Sequence, residues 1–259
     1  MSIIGVTVND EDVRQNAATE QEQGQHPVWE ELIRSVRTGK YQSDYEVGEL
    51  IPISVGKFGS MHARIVAMDA DQINGSEKKA ALSFLMSMPL PDNRQMNPEW
   101  AKEDPEDSSL FVPGTGAIDG WKACSLRRYL QEEVLPEFPQ IVRENIVPVL
   151  KTSRTFTAKS QVFDVVTADK LWIPSRREVF GPGRFTELTG PVYSEVFEDD
   201  DDRVMRDGDG SASSASWWWL RSAHSGNNFY GVSASGGWIL TSASTAHGVV
   251  VGFCIESGI

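Results

Sequence analysis

Apolar residues recur with different periods in different parts of the chain, and each period predicts its own element. Residues Met1–His26 are polar, rich in Gln, Glu and Asn and without periodicity, which predicts a flexible arm or attachment segment. Val28, Trp29, Leu32, Ile33 and Val36 then fall at helical spacing and predict a helix over Val28–Thr38. Glu30 and Glu31 suit its N-terminal end, Arg34 and Arg37 its C-terminal end, and Gly39 supplies the stop. From Glu49 the period shortens. Leu50–Val55, Met61–Met68 and Ala80–Met88 predict strands, the first two joined by a turn at Lys57–Ser60. The stretch Pro89–Gly120 is full of Pro, Gly, Asp and Ser and predicts a long surface excursion. Leu126, Tyr129, Leu130 and Val134 share one face of a helix starting near Asp119–Gly120, and Pro139 can open a shorter helix holding Ile141, Val142 and Ile146.

Leu171–Pro174 predicts a short apolar strand running into Ser175-Arg-Arg-Glu178. Ser and Glu at that spacing form a capping box, each side chain accepting from the other residue's amide. Glu198–Asp202 and Asp207–Gly210 could hold calcium by composition, but neither has the ligand spacing of a known loop, so solvated loops are expected. From Gly210 to Gly248 the chain turns to Ser, Gly, Ala, Asn and Thr, which alone reads as a linker. Yet Trp217, Trp218, Trp219, Leu220, Phe229, Val232, Trp238 and Ile239 interrupt it, and the apolar strand Val249–Ile255 closes it. Burying one such side chain contributes ~1.5–3 kcal/mol, against ~1–2 kcal/mol of backbone entropy per ordered residue, so an ordered loop is expected. Strand alternation puts Trp217 and Trp219 on one face, both expected in the core, and Trp218 on the other.

Composition narrows the function. A net charge of −13 without a basic block argues against nucleic acid and against an anionic membrane surface. No apolar run is long enough to span a bilayer, and the N-terminus lacks the basic start of a secretory signal, so a soluble chain without a signal peptide is expected. Cys124 and Cys254 cannot build a disulfide framework and lack metal-site spacing; both are expected to be buried thiols. Between the aromatic anchors of the C-terminal segment lie His224, Asn227, Asn228, Tyr230 and His247 among Ser and Gly, a mixture suited to adaptable binding loops.

The run Trp217–Ser222, then Phe229, Val232 and Gly236, then Gly248–Cys254, resembles the C-terminal region of bacterial and phage proteins varied by diversity-generating retroelements. Gly120–Leu130 and Leu171–Gly181 look like the helix and strand–helix motifs of the same proteins, so the resemblance covers about Tyr45–Ile255. It implies an α+β chain with a C-type lectin-like fold of the formylglycine-generating-enzyme branch: small antiparallel sheets flanked by two helices, with long irregular loops. Residues 1–44 would be an N-terminal arm and helix for attachment or oligomerisation, and residues 45–259 the lectin-like domain with a variable ligand-binding region at about 222–247. Adenine rewriting of codons implies varied positions at His224, Asn227, Asn228, Tyr230, Gly231, Ser233, Gly237, Ile239, Leu240, Thr241, Thr245 and His247. Trp217, Trp219, Arg221, Phe229, Val232, Trp238 and Phe253 would be scaffold, Trp238 because such rewriting does not produce Trp. At Val250–Val251 the chain departs from the common pattern, where a smaller or Pro-containing pair is frequent, so packing of the last strand is expected to differ slightly.

The function implied is receptor recognition, by a phage tail-tip adhesin in the virion or alternatively by a protein on the bacterial cell surface. The partner would be a host or bacterial surface protein or a glycan, with no cofactor and no metal, and a homotrimer is the common assembly of such tail-tip proteins. One rival is a structural virion or cell-surface protein without a varied site. Another is an enzyme. The chain has four histidines and no Gly-x-Ser-x-Gly or His-Glu-x-x-His motif, and the surroundings of Cys124 and Cys254 do not match the cysteine pair of formylglycine-generating oxidases. A non-enzymatic binding protein is the expectation.

Overall fold

A computed structural model describes residues 27–157, 159, 161–184, 186–206 and 215–256; the arm at 1–26 and the acidic Asp207–Gly210 lie outside them. The first helix, α1, spans 27–37, within one residue of the sequence expectation. Its stop has a physical cause: Gly39 takes φ 69°, and the amides of Gly39 and Lys40 reach back to the carbonyls of Val36 and Ser35. A single further turn, α2, occupies Tyr41–Asp44. Strands β1 (Leu50–Ser54), β2 (Ser60–Met68) and β3 (Leu82–Met86) follow where the short apolar period predicts them, with a 3₁₀ turn at Gly56–Phe58 between the first two.

These strands form an antiparallel five-stranded sheet that the end of the chain completes. β14 (Gly252–Ile255) inserts between β3 and β7 (Leu171–Trp172), giving the order β1-β2-β3-β14-β7. A strand inserted between two others is buried on both faces, which accounts for the unbroken apolar run Val249–Ile255. α1 packs onto this sheet rather than standing apart with the arm: Trp29, Leu32, Ile33 and Val36 are buried, and the Trp29 ring contacts Phe84 and Phe253. The boundary expected at residue 44 therefore does not separate α1 from the main core. Gly252 is required by this packing, because any Cβ there would enter the indole of Trp172. Gly252→Ala is expected to cost ~1–3 kcal/mol through overpacking, seen as a lower midpoint in urea unfolding.

Helix α3 (Gly120–Ala123) and helix α4 (Ser125–Tyr129) replace the single helix read from the sequence. Cys124, in extended backbone, separates them, and its sulfur accepts from the Arg127 amide as an N-cap. α4 runs on through a π turn at Leu130–Val134, and α5 (Gln140–Asn145) follows Pro139. The excursion Pro89–Gly120 is irregular but not wholly superficial. It holds the two-residue strand β4 (Arg94–Gln95), and Leu90, Met96, Asn97, Ala117 and Ile118 are buried. β5 (Val149–Phe156) and β6 (Val162–Asp169) form a hairpin the sequence reading did not assign. The inward side of β5 carries Lys151, Ser153 and Thr155 between Val149 and Phe156, so hydropathy alone shows no clean alternation there.

The capping box at Ser175 opens helix α6 (Arg176–Phe180), with both reciprocal bonds formed. β8 (Met205–Arg206) pairs with β9 (Ala215–Ser216). A three-stranded antiparallel sheet follows, built from β10 (Trp218–Ala223), β11 (Asn228–Val232) and β12 (Trp238–Ser242). β13 (Ala246–His247) pairs with β4. The chain is thus mixed α+β with several small antiparallel sheets, and no described helix is long and apolar enough to cross a membrane.

Candidate functional site

The composition of 215–248 suggested a linker, but the segment is anchored throughout. Trp218, Trp219, Leu220, Phe229 and Val232 are fully buried. The Trp219 indole N–H donates to the Arg94 carbonyl at 2.7 Å and the Trp218 indole N–H to the Arg203 carbonyl at 3.0 Å. Buried indoles need such partners, and here the partners lie on distant segments, so each anchor also fixes its ring. Trp218 and Trp219 face opposite ways, as alternation predicts.

Register sorts the side chains of β11 and β12 onto two faces. Tyr230 pairs with Leu240 and Val232 with Trp238 on one; Phe229 pairs with Thr241 and Gly231 with Ile239 on the other. The first face is open at its rim. Trp238 is 51% exposed and Leu240 40% exposed, because β12 is the edge strand of its sheet. Arg176, the first residue of α6, stands over both aromatic rings, its guanidinium carbon 4.8 Å from the Tyr230 centroid and 5.4 Å from that of Trp238. Such cation–π contacts hold the group without neutralising it. Among the described residues Arg176 has no carboxylate partner, and its Nε has no hydrogen-bond acceptor. The His224 ring meets Tyr230 edge-on at 5.3 Å, and its Nδ1 also has no partner. Burial first, then the positive charges of Arg176 and Arg154, depress the His224 pKa.

On the second face the His247 ring lies 5.5 Å from Trp217 and 4.8 Å from Trp219, and its Nε2 bonds Thr241 Oγ1 at 2.8 Å. Burial lowers the His247 pKa and favours the neutral ring. This face is mostly a packed seam.

Several expected roles change on this geometry. Trp217, expected in the core, is 47% exposed, because the chain kinks out of the strand between β9 and β10 and only one side of the ring rests on His247. Trp238, expected as scaffold, projects from the edge strand and is exposed. Conversely, three positions expected to vary are enclosed: Tyr230 at 2% exposure, His247 at 9%, and Gly231, where a Cβ would meet the Trp218 carbonyl at 2.9 Å. Asn227 is half-buried but tied down, its Oδ1 accepting from the Ala101 amide at 2.7 Å. His224, Asn228, Ser233, Gly237, Ile239 and Thr241 are half-buried, and Leu240 and Thr245 exposed. Arg221, Phe229, Val232, Trp219 and Phe253 are buried.

Arg176 and Arg154 join the site although nothing in their local sequence marks them. The capping box orients α6, and the Arg176 amide donates to Ser222 Oγ across 46 residues, which brings the guanidinium to β11. Trp100, also exposed, precedes the Ala101 amide held by Asn227. Of the eight tryptophans, five are buried and three exposed, and all three lie on or beside this C-terminal sheet. The acidic run Asp199–Asp202 is surface-exposed; its carboxylates cap their own turn and pair with Arg203, and Asp200 abuts Gly236 in the β11–β12 connection.

A family model described as a domain of unknown function, DUF6273, matches residues 117–257, more than half of the chain and all of this sheet. No curated protein and no solved structure matches the chain.

Proposed function

Starting from a chain that belongs to the DUF6273 family, we propose that it is a ligand-binding protein whose C-terminal sheet is a recognition surface. In this proposal the domain is C-type lectin-like, the surface is diversified by a retroelement, and the protein acts as a receptor-binding adhesin of a phage tail. A bacterial surface protein is the alternative setting. One observation carries the proposal: on a sheet anchored by the fully buried Trp218, Trp219, Phe229 and Val232, Trp238 and Leu240 stay open to solvent beside the guanidinium of Arg176, which has no carboxylate partner among the described residues. Exposed aromatic and Arg side chains on a rigid backbone are the residue types that dominate binding energy at interfaces.

Division of labour follows. The buried indoles hold the backbone, and the outward positions His224, Asn228, Ser233, Leu240 and Thr245 can differ from copy to copy without unfolding it. Tyr230, Gly231, Asn227 and His247 are too enclosed or too tied for that and belong to the frame. A guanidinium without a carboxylate partner among the described residues, in a chain of net charge −13, favours a ligand that brings a carboxylate to Arg176, since such pairs are bidentate and charge-assisted. Both Cys124 and Cys254 are buried, which pushes their thiols up, the former to about 12, and leaves them without the thiolate a nucleophile needs.

The test has a genetic and a binding arm. The DNA flanking the gene should carry a near-copy of its 3′ end that differs mainly at adenines, beside a reverse-transcriptase gene. Purified protein should bind its target bacterium's surface, and Arg176→Gln should weaken that binding at least tenfold, the loss of about 1.4 kcal/mol. Undiminished binding with no such repeat would leave a structural protein without a recognition surface.

A further inference from the structure

Beneath the sheet lies a second group of reactive side chains that ligand binding does not use. Lys151 on β5 is completely buried, and its ammonium touches four groups. Asp71 Oδ1 lies at 2.5 Å, Tyr193 Oη at 2.9 Å, Glu178 Oε1 at 3.1 Å, and the Trp172 ring centroid at 3.3 Å. Asp71 is buried as well. Its other oxygen, Oδ2, accepts from Ser83 Oγ at 2.6 Å and Tyr193 Oη at 2.9 Å, with the Cys254 thiol at 3.8 Å. Arg221 grips both oxygens of Glu178, at 2.5 and 2.8 Å. An amine, a carboxyl carbon flanked by donors, and a second carboxylate against the amine are therefore held together away from water.

We propose that Lys151 and Asp71 condense within the folded chain to an isopeptide bond. The atoms balance without any co-reactant. The ammonium gives one proton directly to Asp71 Oδ1, and after the N–C bond has formed Glu178 takes a second proton from that nitrogen and returns it to Oδ1, ending as it began. The freed nitrogen lone pair attacks Asp71 Cγ, so the N–C bond forms while carbonyl electrons move onto Oδ2. There Ser83 and Tyr193 donate to the developing oxyanion, as preorganised donors do in acyl transfer. Oδ1 leaves as water and the carbonyl re-forms at Oδ2. Lysine and carboxylate are lost together, so net charge is unchanged, and two buried charges become one neutral amide that no longer needs compensation. Tyr193, whose pKa burial and the neighbouring carboxylates push well up, remains a proton donor throughout.

The product ties the segment after β2 to β5 across 80 residues of chain. Like a disulfide it would constrain the unfolded chain, but it resists reductants, in a protein whose two thiols form no cross-link.

Mass spectrometry decides the matter on the full chain. The intact, denatured protein should weigh one water less than its sequence, and trypsin should skip Lys151 and release a branched peptide joining 65–78 to 144–154. Lys151→Arg, which keeps the positive charge and the fold but lacks a condensing amine, should recover the full mass. A folded wild-type chain of full sequence mass that trypsin cuts after Lys151 overturns the proposal. So does a water loss that persists in Lys151→Arg. Should that variant fail to fold, the wild-type peptide map is decisive by itself.

Discussion

Arg221→Met unfolds the protein far more readily than any surface change: the expected loss is about 3–5 kcal/mol, because Glu178 is left charged and buried without the guanidinium that grips both its oxygens. At roughly 2–4 °C per kcal/mol for a domain of this size, the melting temperature falls by about 6–20 °C. The guanidinium is saturated in the native chain. Besides Glu178 it donates to the Ile173 carbonyl at 2.6 Å and the Thr152 carbonyl at 3.1 Å, so it links β10 to β5 and to the strand before α6. Burial by itself would raise the Glu178 carboxyl, but the attraction of Arg221, and of Lys151 while it is a free ammonium, outweighs it and holds the group down at about 2. The sign for stability follows. A depressed carboxyl stabilises the fold above its unfolded value of 4.5, and that contribution fades as the pH falls towards about 2. In Arg221→Met the main lowering charge is gone, so acid costs the variant less than it costs the wild type. The gap between their unfolding free energies should therefore be widest near neutrality and narrow near about pH 3. Denaturant titrations of both proteins at the two pH values measure it; a gap independent of pH would assign Arg221 a packing role alone.

Trp219→Ala is the second large effect and separates frame from surface when paired with Trp238→Ala. Trp219 is fully buried, meets Phe229 and His247 edge-on, and donates to Arg94. Removing it costs ~3–5 kcal/mol in packing, with an orphaned Arg94 carbonyl in addition. Trp238 is half exposed on an edge strand, and its removal should stay within about 0.5 kcal/mol of wild-type stability. Binding should behave oppositely: Trp238→Ala keeps its melting temperature and loses surface binding. Thermal melts alongside a cell-binding titration read both quantities, and equal thermal losses at the two sites would remove the distinction between frame and recognition surface.

Elements defined by contacts close in sequence were legible in the sequence itself. α1 could be read from the spacing of Trp29, Leu32, Ile33 and Val36, and α6 from Ser175 and Glu178, since both patterns act within two helical turns. β1, β2 and β3 were legible for the same reason, as was the ordering of 215–248 from its apolar anchors. The β5–β6 hairpin was not. Its inward Lys151 is polar by sequence and becomes a core residue only because Asp71, Glu178 and Tyr193 arrive from elsewhere in the chain.

The candidate site divides in the same way. Sequence alone located the C-terminal segment and its buried Trp219 and Phe229, because a large apolar side chain carries its own reason to be inside. It could not say which aromatics stay out. Trp238 is exposed because β12 has no neighbour on its far side, and Tyr230 is enclosed because Arg176 and His224 lie over it. Arg176, Arg154 and the Lys151–Asp71 pair were decided wholly by tertiary structure. A charge has no preferred partner in a linear sequence; only the folded chain determines whether the group beside it is water, an aromatic ring or a carboxylate.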